Sequence, residues 1–257
     1  MKLSSHCFLF FLLAAGLLCS PAAPGLPSLV PAALADEAGD LRNAQSAIEK
    51  ADYGKAVALL KPLADKGNAE ALYVLGRLTL DGKGVKKSEQ RAAQLFRQAA
   101  EKGDISAQNA WGTAQASGQG VRRNYREAAR WFRKAAEQGL AMAQYNLGYL
   151  YAYGRGVPKD ENAAIDWYSR AANQGLADAQ YSLGWTYLNS KGENQSDTKA
   201  VHWFEKAAEQ DNLKAQNNLA YMYAEGRGYA QDPVKAVQWY NRAAERGYAE
   251  AQYNLGF

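Results

Sequence analysis

Residues able to carry chemistry are few in this chain. The sequence has two histidines and two cysteines, and His6, Cys7 and Cys19 all lie within the first twenty positions. Beyond them His202 stands alone, so neither a histidine metal pair nor a histidine-based triad can be assembled. Ser196-Asp197-Thr198-Lys199 matches the S-x-x-K pattern of penicillin-recognising enzymes, but no S-D-N or K-T-G run accompanies it. Glycine pairs such as Gly82-Lys83-Gly84 and Gly154-Arg155-Gly156 lack the G-K-[ST] continuation and the preceding strand of a phosphate cradle. The remaining chemically suggestive feature is aromatic: 16 tyrosines and six tryptophans. Such rings serve either close packing or a binding surface.

Those rings recur with a period. A-x-x-x-L-G or a close variant begins at Ala71, Ala107, Ala143, Ala179, Ala215 and Ala251, always 36 residues apart. Gly82-Lys83-Gly84, Gly118-Gln119-Gly120, Gly154-Arg155-Gly156 and Gly226-Arg227-Gly228 keep that spacing, with Ser190-Lys191-Gly192 standing in once. Alanine pairs follow suit at Ala99-Ala100, Ala135-Ala136, Ala171-Ala172, Ala207-Ala208 and Ala243-Ala244. A fixed period of this length marks one supersecondary unit per repeat. In this register His202 corresponds to Gln94, Arg130, Asp166 and Gln238, which makes it a solvated position. Glu101, Glu137, Glu209 and Glu245 likewise recur as surface charges near helix ends, and no metal or cofactor site is expected.

Each unit divides into two helices by its punctuation. The first, such as Ala141 to Tyr153, stops at Gly154, where left-handed backbone is cheap. The second starts beside Ser88, Asn124, Asp160, Ser196 or Asp232, side chains that accept hydrogen bonds from unpaired amides. It ends before Gly67, Gly103, Gly139, Gly175 or Gly247, with Asp211 the one departure. Gly76, Gly112, Gly148 and Gly184 lie in mid-helix, with Ala220 as the variant, and there glycine costs about 1 kcal/mol relative to alanine. Close approach of a neighbouring helix is the expected compensation. Trp131, Trp167, Trp203 and Trp239 are expected to be core rings admitted by the alanine pairs.

The order and spacing of Ala143-Gln144-Tyr145-Asn146-Leu147-Gly148, Gly154-Arg155-Gly156-Val157 and Trp167-Tyr168-Ser169-Arg170-Ala171-Ala172 resemble the Sel1-like repeat (SLR) family, relatives of the tetratricopeptide repeats. The resemblance implies an all-α fold, an α-solenoid of stacked helix-turn-helix units coiling as a right-handed superhelix. Residues 69–257 are the array, five full repeats and a partial sixth, and residues 36–68 resemble a plain tetratricopeptide hairpin. Scaffolding and adaptor roles are what the family implies, with a protein or peptide partner in the bacterial envelope and no catalysis. A cell-wall glycan accessory is the alternative, and a penicillin-binding or β-lactamase-like hydrolase a more distant one.

In the tetratricopeptide relatives the first helices line the concave face, and the position after the L-G pair points into it. That position is Arg77, Thr113, Tyr149, Trp185 and Tyr221. Its residue type varies, as a core position should not, yet it is aromatic in three successive units. Tyr145, Tyr181 and Tyr153 lie nearby, so these residues with Arg77 form the expected partner-binding surface. Tyr151, Tyr187 and Tyr223, two positions further on, are expected to pack in the core.

Charge and targeting complete the reading. A net charge of +4 on 257 residues argues against nucleic-acid binding. Met1-Lys2, the apolar run Cys7 to Leu18 and Ala33-Leu34-Ala35 before Asp36 form a leader spanning residues 1–35. The run is too short for an ordinary membrane span, and Pro21, Pro24, Pro27 and Pro31 follow it. Export to the periplasm or exterior is therefore expected, with no stable membrane span after cleavage and no thiol left for a disulfide. N-terminal sequencing of the exported protein should begin at Asp36; a start near Ala23, or Met1 retained on a membrane-bound form, would refute the assignment.

Overall fold

A computed structural model describes residues 32–256 of the chain, with side chains from Asp36 onward. The leader expected over residues 1–35 thus lies outside the residues whose side chains are described. Thirteen helices run through the described residues. Helices α1 (Ala32–Glu49) and α2 (Tyr53–Asp65) form a leading hairpin. The pairs α3 (Ala69–Asp81) and α4 (Glu89–Glu101), α5 (Ile105–Ser117) and α6 (Tyr125–Glu137), α7 (Ala141–Tyr153) and α8 (Glu161–Asn173), α9 (Ala177–Asn189) and α10 (Asp197–Glu209), and α11 (Leu213–Glu225) and α12 (Pro233–Glu245) follow. Helix α13 (Ala249–Leu255) opens the next unit. Each helix packs mainly on its neighbours along the chain, the arrangement of an all-α repeat solenoid.

The helix starts are where the side chains dictate. Asp52, Ser88, Asn124, Asp160, Ser196 and Asp232 each accept a hydrogen bond from the amide three residues on, at 3.0–3.3 Å. Ser196 therefore spends its hydroxyl on the Lys199 amide, while the Lys199 ammonium stands over the Tyr187 ring. First helices are capped as well by Asn68, Asp104 and Asn212, but not by Leu140 or Leu176. Gly82, Gly118, Gly154 and Gly226 end first helices in the left-handed region. Ser190 does not substitute for them: its backbone is extended, and a 3-10 turn at Gly192–Asn194 follows.

The mid-helix glycines face rings, and the rings are not the tryptophans. A Cβ on Gly76, Gly112, Gly148 or Gly184 would lie 2.7–2.8 Å from Phe96, Phe132, Tyr168 or Phe204 of the same unit's second helix. Those four rings are buried, as is Tyr240, which packs with Ala220. The tryptophan one position earlier points about 100° away around the helix and is only half-buried. Trp167, Trp203 and Trp239 pack instead against the apolar clusters formed by the preceding unit's second helix and their own first helix. Each is covered by a cation three residues on, from Lys134 over Trp131 at 4.2 Å to Arg242 over Trp239 at 5.2 Å.

The second glycine of each G-x-G loop joins successive units. A Cβ on Gly120 would collide with the Glu89 carbonyl oxygen, and one on Gly156 with the Tyr125 backbone. Gly84 and Gly228 meet the backbone of Tyr53 and Asp197 in the same way. Only backbone without a side chain lets the loop lie on the start of the preceding second helix. Gly192 meets nothing within 4 Å, so the loop of the fourth unit is undocked there.

Two alanine substitutions separate conformational strain from collision. Gly103 has φ +95° with open space around it, and Gly120 has φ +72° with backbone in the way. Gly103→Ala should cost about 1–2 kcal/mol, the ordinary expense of a left-handed alanine, and Gly120→Ala clearly more. Chemical denaturation of both variants measures the difference; equal losses would mean that the loop does not need close approach.

Candidate binding face of the first helices

Positions four apart on a helix lie on one face, so each first helix presents a stripe. In α7 the stripe is Tyr145, Tyr149 and Tyr153, in α9 Tyr181, Trp185 and Asn189, and in α11 Asn217, Tyr221 and Glu225. Tyr73 and Arg77 occupy it in α3, with the Arg77 guanidinium 6.0 Å from the Tyr73 ring. Asn109 and Thr113 occupy it in α5.

The stripe is graded from packed to open. Tyr145 and Tyr181 are half-buried and lie 5.7 and 5.9 Å from the core rings Tyr168 and Phe204. Burial pushes both of their hydroxyls above the ordinary tyrosine range. Tyr149 is half-buried and lies 4.6 Å from Tyr153. Trp185, Tyr221 and Tyr153 expose 44%, 43% and 59% of their surface, far more than packing rings do. Of the expected surface residues, Tyr145 and Tyr181 thus form the floor and Tyr153, Trp185 and Tyr221 stand up from it. Arg77 is half-buried two units away, separated from the aromatic run by Thr113.

Polar side chains fasten adjacent first helices beneath this surface. Asn146 donates to Asn109 at 2.9 Å and Asn254 to Asn217 at 3.0 Å, both across 37 positions. Ser182 faces Tyr145 in that register. Asn218 faces Tyr181 there at longer range, its buried Nδ2 making no full hydrogen bond. A second ladder, inside each unit, ties the end of the second helix to the first across 30 positions: Gln138 donates to Gln108, Gln174 to Gln144 and Gln210 to Gln180, at 2.8–3.0 Å. Neither ladder was anticipated from the sequence, although polar residues 30 and 37 positions apart in repeat register are its visible signal.

Tyr151, Tyr187 and Tyr223 belong to another side of the helix. Only Tyr223 is buried; Tyr151 and Tyr187 are half-buried, because the ring tip emerges beside the preceding second helix. Arg133 donates to the Tyr151 hydroxyl, and the Tyr223 hydroxyl donates to Glu205 at 3.0 Å.

The loop residue between the paired glycines borders the face and reaches back 30 positions. Gln119 donates to Glu89 at 3.2 Å, and Arg227 donates to both Asp197 oxygens at 2.7 and 2.9 Å. Lys83 stands over the Tyr53 ring and Arg155 over the Tyr125 ring, at 5.4 and 5.5 Å. In the undocked fourth unit Asn194 takes the role by donating to Glu161.

The repeat register is matched by the Sel1 repeat family over residues 39–68, 69–104, 105–140, 141–176, 177–212, 213–248 and 249–257. The chain belongs to the Sel1 repeat family. A protective antigen of uropathogenic Escherichia coli with an SLR fold is 34% identical, with a TM-score of 0.78, over 87% of this chain and 49% of its own. The chain therefore spans about half the length of that antigen. A Sel1 repeat protein of Oxalobacter formigenes is 32% identical, with a TM-score of 0.77, over 82% of this chain and 84% of its own. An immunity protein of Pseudomonas aeruginosa, 23% identical with a TM-score of 0.51 over 88% of this chain and 85% of its own, shares the fold alone. Comparison with curated proteins gave no match. No helix among the described residues is long and apolar enough to cross a membrane.

Tyr223 offers a spectroscopic check on the packing. Burial, then its bond to Glu205, raises its hydroxyl to about 12. A raised tyrosine pKa means that the stabilising neutral phenol is fully present below the unfolded value of about 10 and lost as pH rises through about 12. In phenolate absorbance titrations, Glu205→Gln should move two tyrosines, Tyr223 and Tyr229, to lower pH, and Tyr223→Phe should delete one of those two transitions. An unchanged titration in Glu205→Gln would disprove the coupling.

Proposed function

We propose that this Sel1 repeat protein is a non-enzymatic scaffold that holds a protein or peptide partner on the first-helix face, after export to the periplasm or cell exterior. The observation that carries the reading is the exposure of Tyr153, Trp185 and Tyr221 on consecutive first helices, above a floor of packed tyrosines. A helical-hairpin solenoid has no packing need for large exposed rings at positions where another unit has Thr113 and Ser117. Rigid aromatic side chains on a rigid floor lose little entropy on binding and are the residue types that dominate interface energetics. Protein interaction is the general role of the fold, which agrees with this reading.

Tyr149, Trp185 and Tyr221 together test it. Replacing all three with alanine should weaken partner capture from envelope extract at least tenfold, since each anchoring ring contributes about 2 kcal/mol or more. The helical circular-dichroism signal should persist and the melting temperature change little. Undiminished capture by the folded triple variant would move the site elsewhere, and loss of folding would make these rings packing residues.

A further inference from the structure

Arg155 faces a ring where other units carry an acid, as Lys83 does over Tyr53, but Lys83 lies 3.4 Å from Asp81 and Arg155 has no such partner among the described residues. The residue 30 positions back is acidic in three units, Glu89, Glu161 and Asp197, and each of these carboxylates accepts a hydrogen bond from the following loop. At the corresponding place before Arg155 stands Tyr125. Arg227 uses its guanidinium as a two-pronged donor to Asp197, whereas Arg155 has no carboxylate within ion-pair distance among the described residues. Its guanidinium is instead surrounded by rings: Tyr149 at 5.2 Å, Tyr125 at 5.5 Å and Tyr153 at 5.8 Å. Arg155 is exposed, and its guanidinium N–H groups make no hydrogen bond or ion pair within the described residues.

The surroundings are cationic. Gly156 lies against the backbone of Tyr125 and Arg126, which brings the Arg155 loop onto the start of α6. Arg122, Arg123 and Arg126 are exposed there, and Arg123 stands 5.7 Å from the Tyr125 ring. Between Val121 and Lys134 the one acid is Glu127, already paired with Arg130 at 2.7 Å. Across the boundary, Asp160 accepts from the Ala163 amide and Glu161 from Asn194, bonds that hold both carboxylates at the start of α8.

We propose that Arg155, flanked by Tyr149 and Tyr153 and backed by Arg122, Arg123 and Arg126, recognises a glutamate or aspartate side chain of a peptide whose neighbouring apolar residue rests on the two rings. The inference rests on the reading of the first-helix face as a partner-binding surface and names the chemistry of that partner. A planar guanidinium with free N–H edges matches a carboxylate bidentately, and the adjacent rings supply the apolar contact that a bare anion would not use.

The chain itself supplies fold-compatible variants. Arg155→Gln installs the residue type of Gln119, which spans the equivalent boundary one unit earlier. Tyr125→Glu installs the acid of Glu89 and Glu161, which would pair with Arg155 internally and consume its donors. The probe is a fluorescein-labelled peptide of alternating glutamate and leucine, with a lysine–leucine peptide, phosphatidylglycerol vesicles and polyphosphate as competitors. Fluorescence anisotropy with the full chain at low salt should show binding of the acidic peptide, weakened about tenfold in both variants with unchanged circular dichroism. Arg155→Lys should recover part of the affinity, and the differences should shrink in high salt. Binding equal in wild type and both variants, equal binding of the lysine peptide, or stronger competition by vesicles or polyphosphate than by unlabelled acidic peptide would each overturn the proposal. If Arg155→Gln captures partner normally while the triple aromatic variant does not, this inference fails and the scaffold reading stands.

Discussion

A ring lying against a position without a side chain is the contact on which the whole array depends. Phe96, Phe132, Tyr168 and Phe204 approach the first helix of their own unit so closely that a single methyl group would collide with them. That approach brings the paired helices together, buries the alanine pairs and sets where the next unit begins. Glycine in mid-helix lowers helix propensity, and the burial of an aromatic ring, whose truncation costs about 3–5 kcal/mol in a core, more than offsets it. Ala220 shows the tolerance of the device: with a methyl present, Tyr240 still packs there.

The binding face follows from the same geometry. With the ring of the second helix held on the glycine, the residue after that glycine must emerge on the open side, and the tyrosine three positions before it must lie along the buried ring. The floor of Tyr145 and Tyr181 and the exposed Trp185 and Tyr221 are therefore consequences of one register. Half-buried tryptophans on the second helices use their rings differently, as bridges to the previous unit under a cationic cover.

Departures from the pattern are local and have partners. Asp211 stands where glycine closes the other second helices and holds a left-handed backbone, φ 63°, which aspartate tolerates better than most residues. Its carboxylate lies 3.1 Å from Arg246, the residue that replaces a ladder glutamine. With Arg246 drawn to Asp211, the Oε1 of buried Gln216 is left without a hydrogen bond, an expense of about 1–3 kcal/mol for a buried acceptor. The fourth unit shows a similar exchange, in which Gly192 leaves the preceding helix and Asn194 takes up the boundary contact.

The sequence by itself determined the unit, its two helices and their ends, because caps and left-handed glycines act within a few residues and repeat without insertion. It also determined that the position after L-G varies in type as a surface position does. Three things were decided only in the folded molecule. Which of two adjacent aromatics enters the core depends on a rotation of about 100° between neighbouring residues: Trp131 and its equivalents were expected there, and the packing places Phe132 and its equivalents instead. The exposure of Trp185 and Tyr221 against the burial of Tyr223 depends on which neighbour covers each side of the helix. The isolation of Arg155 depends on a contact 30 positions back, where Tyr125 replaces an acid. Local side-chain chemistry is written along the chain, whereas burial and pairing across units are set by helices that meet only once the array has stacked.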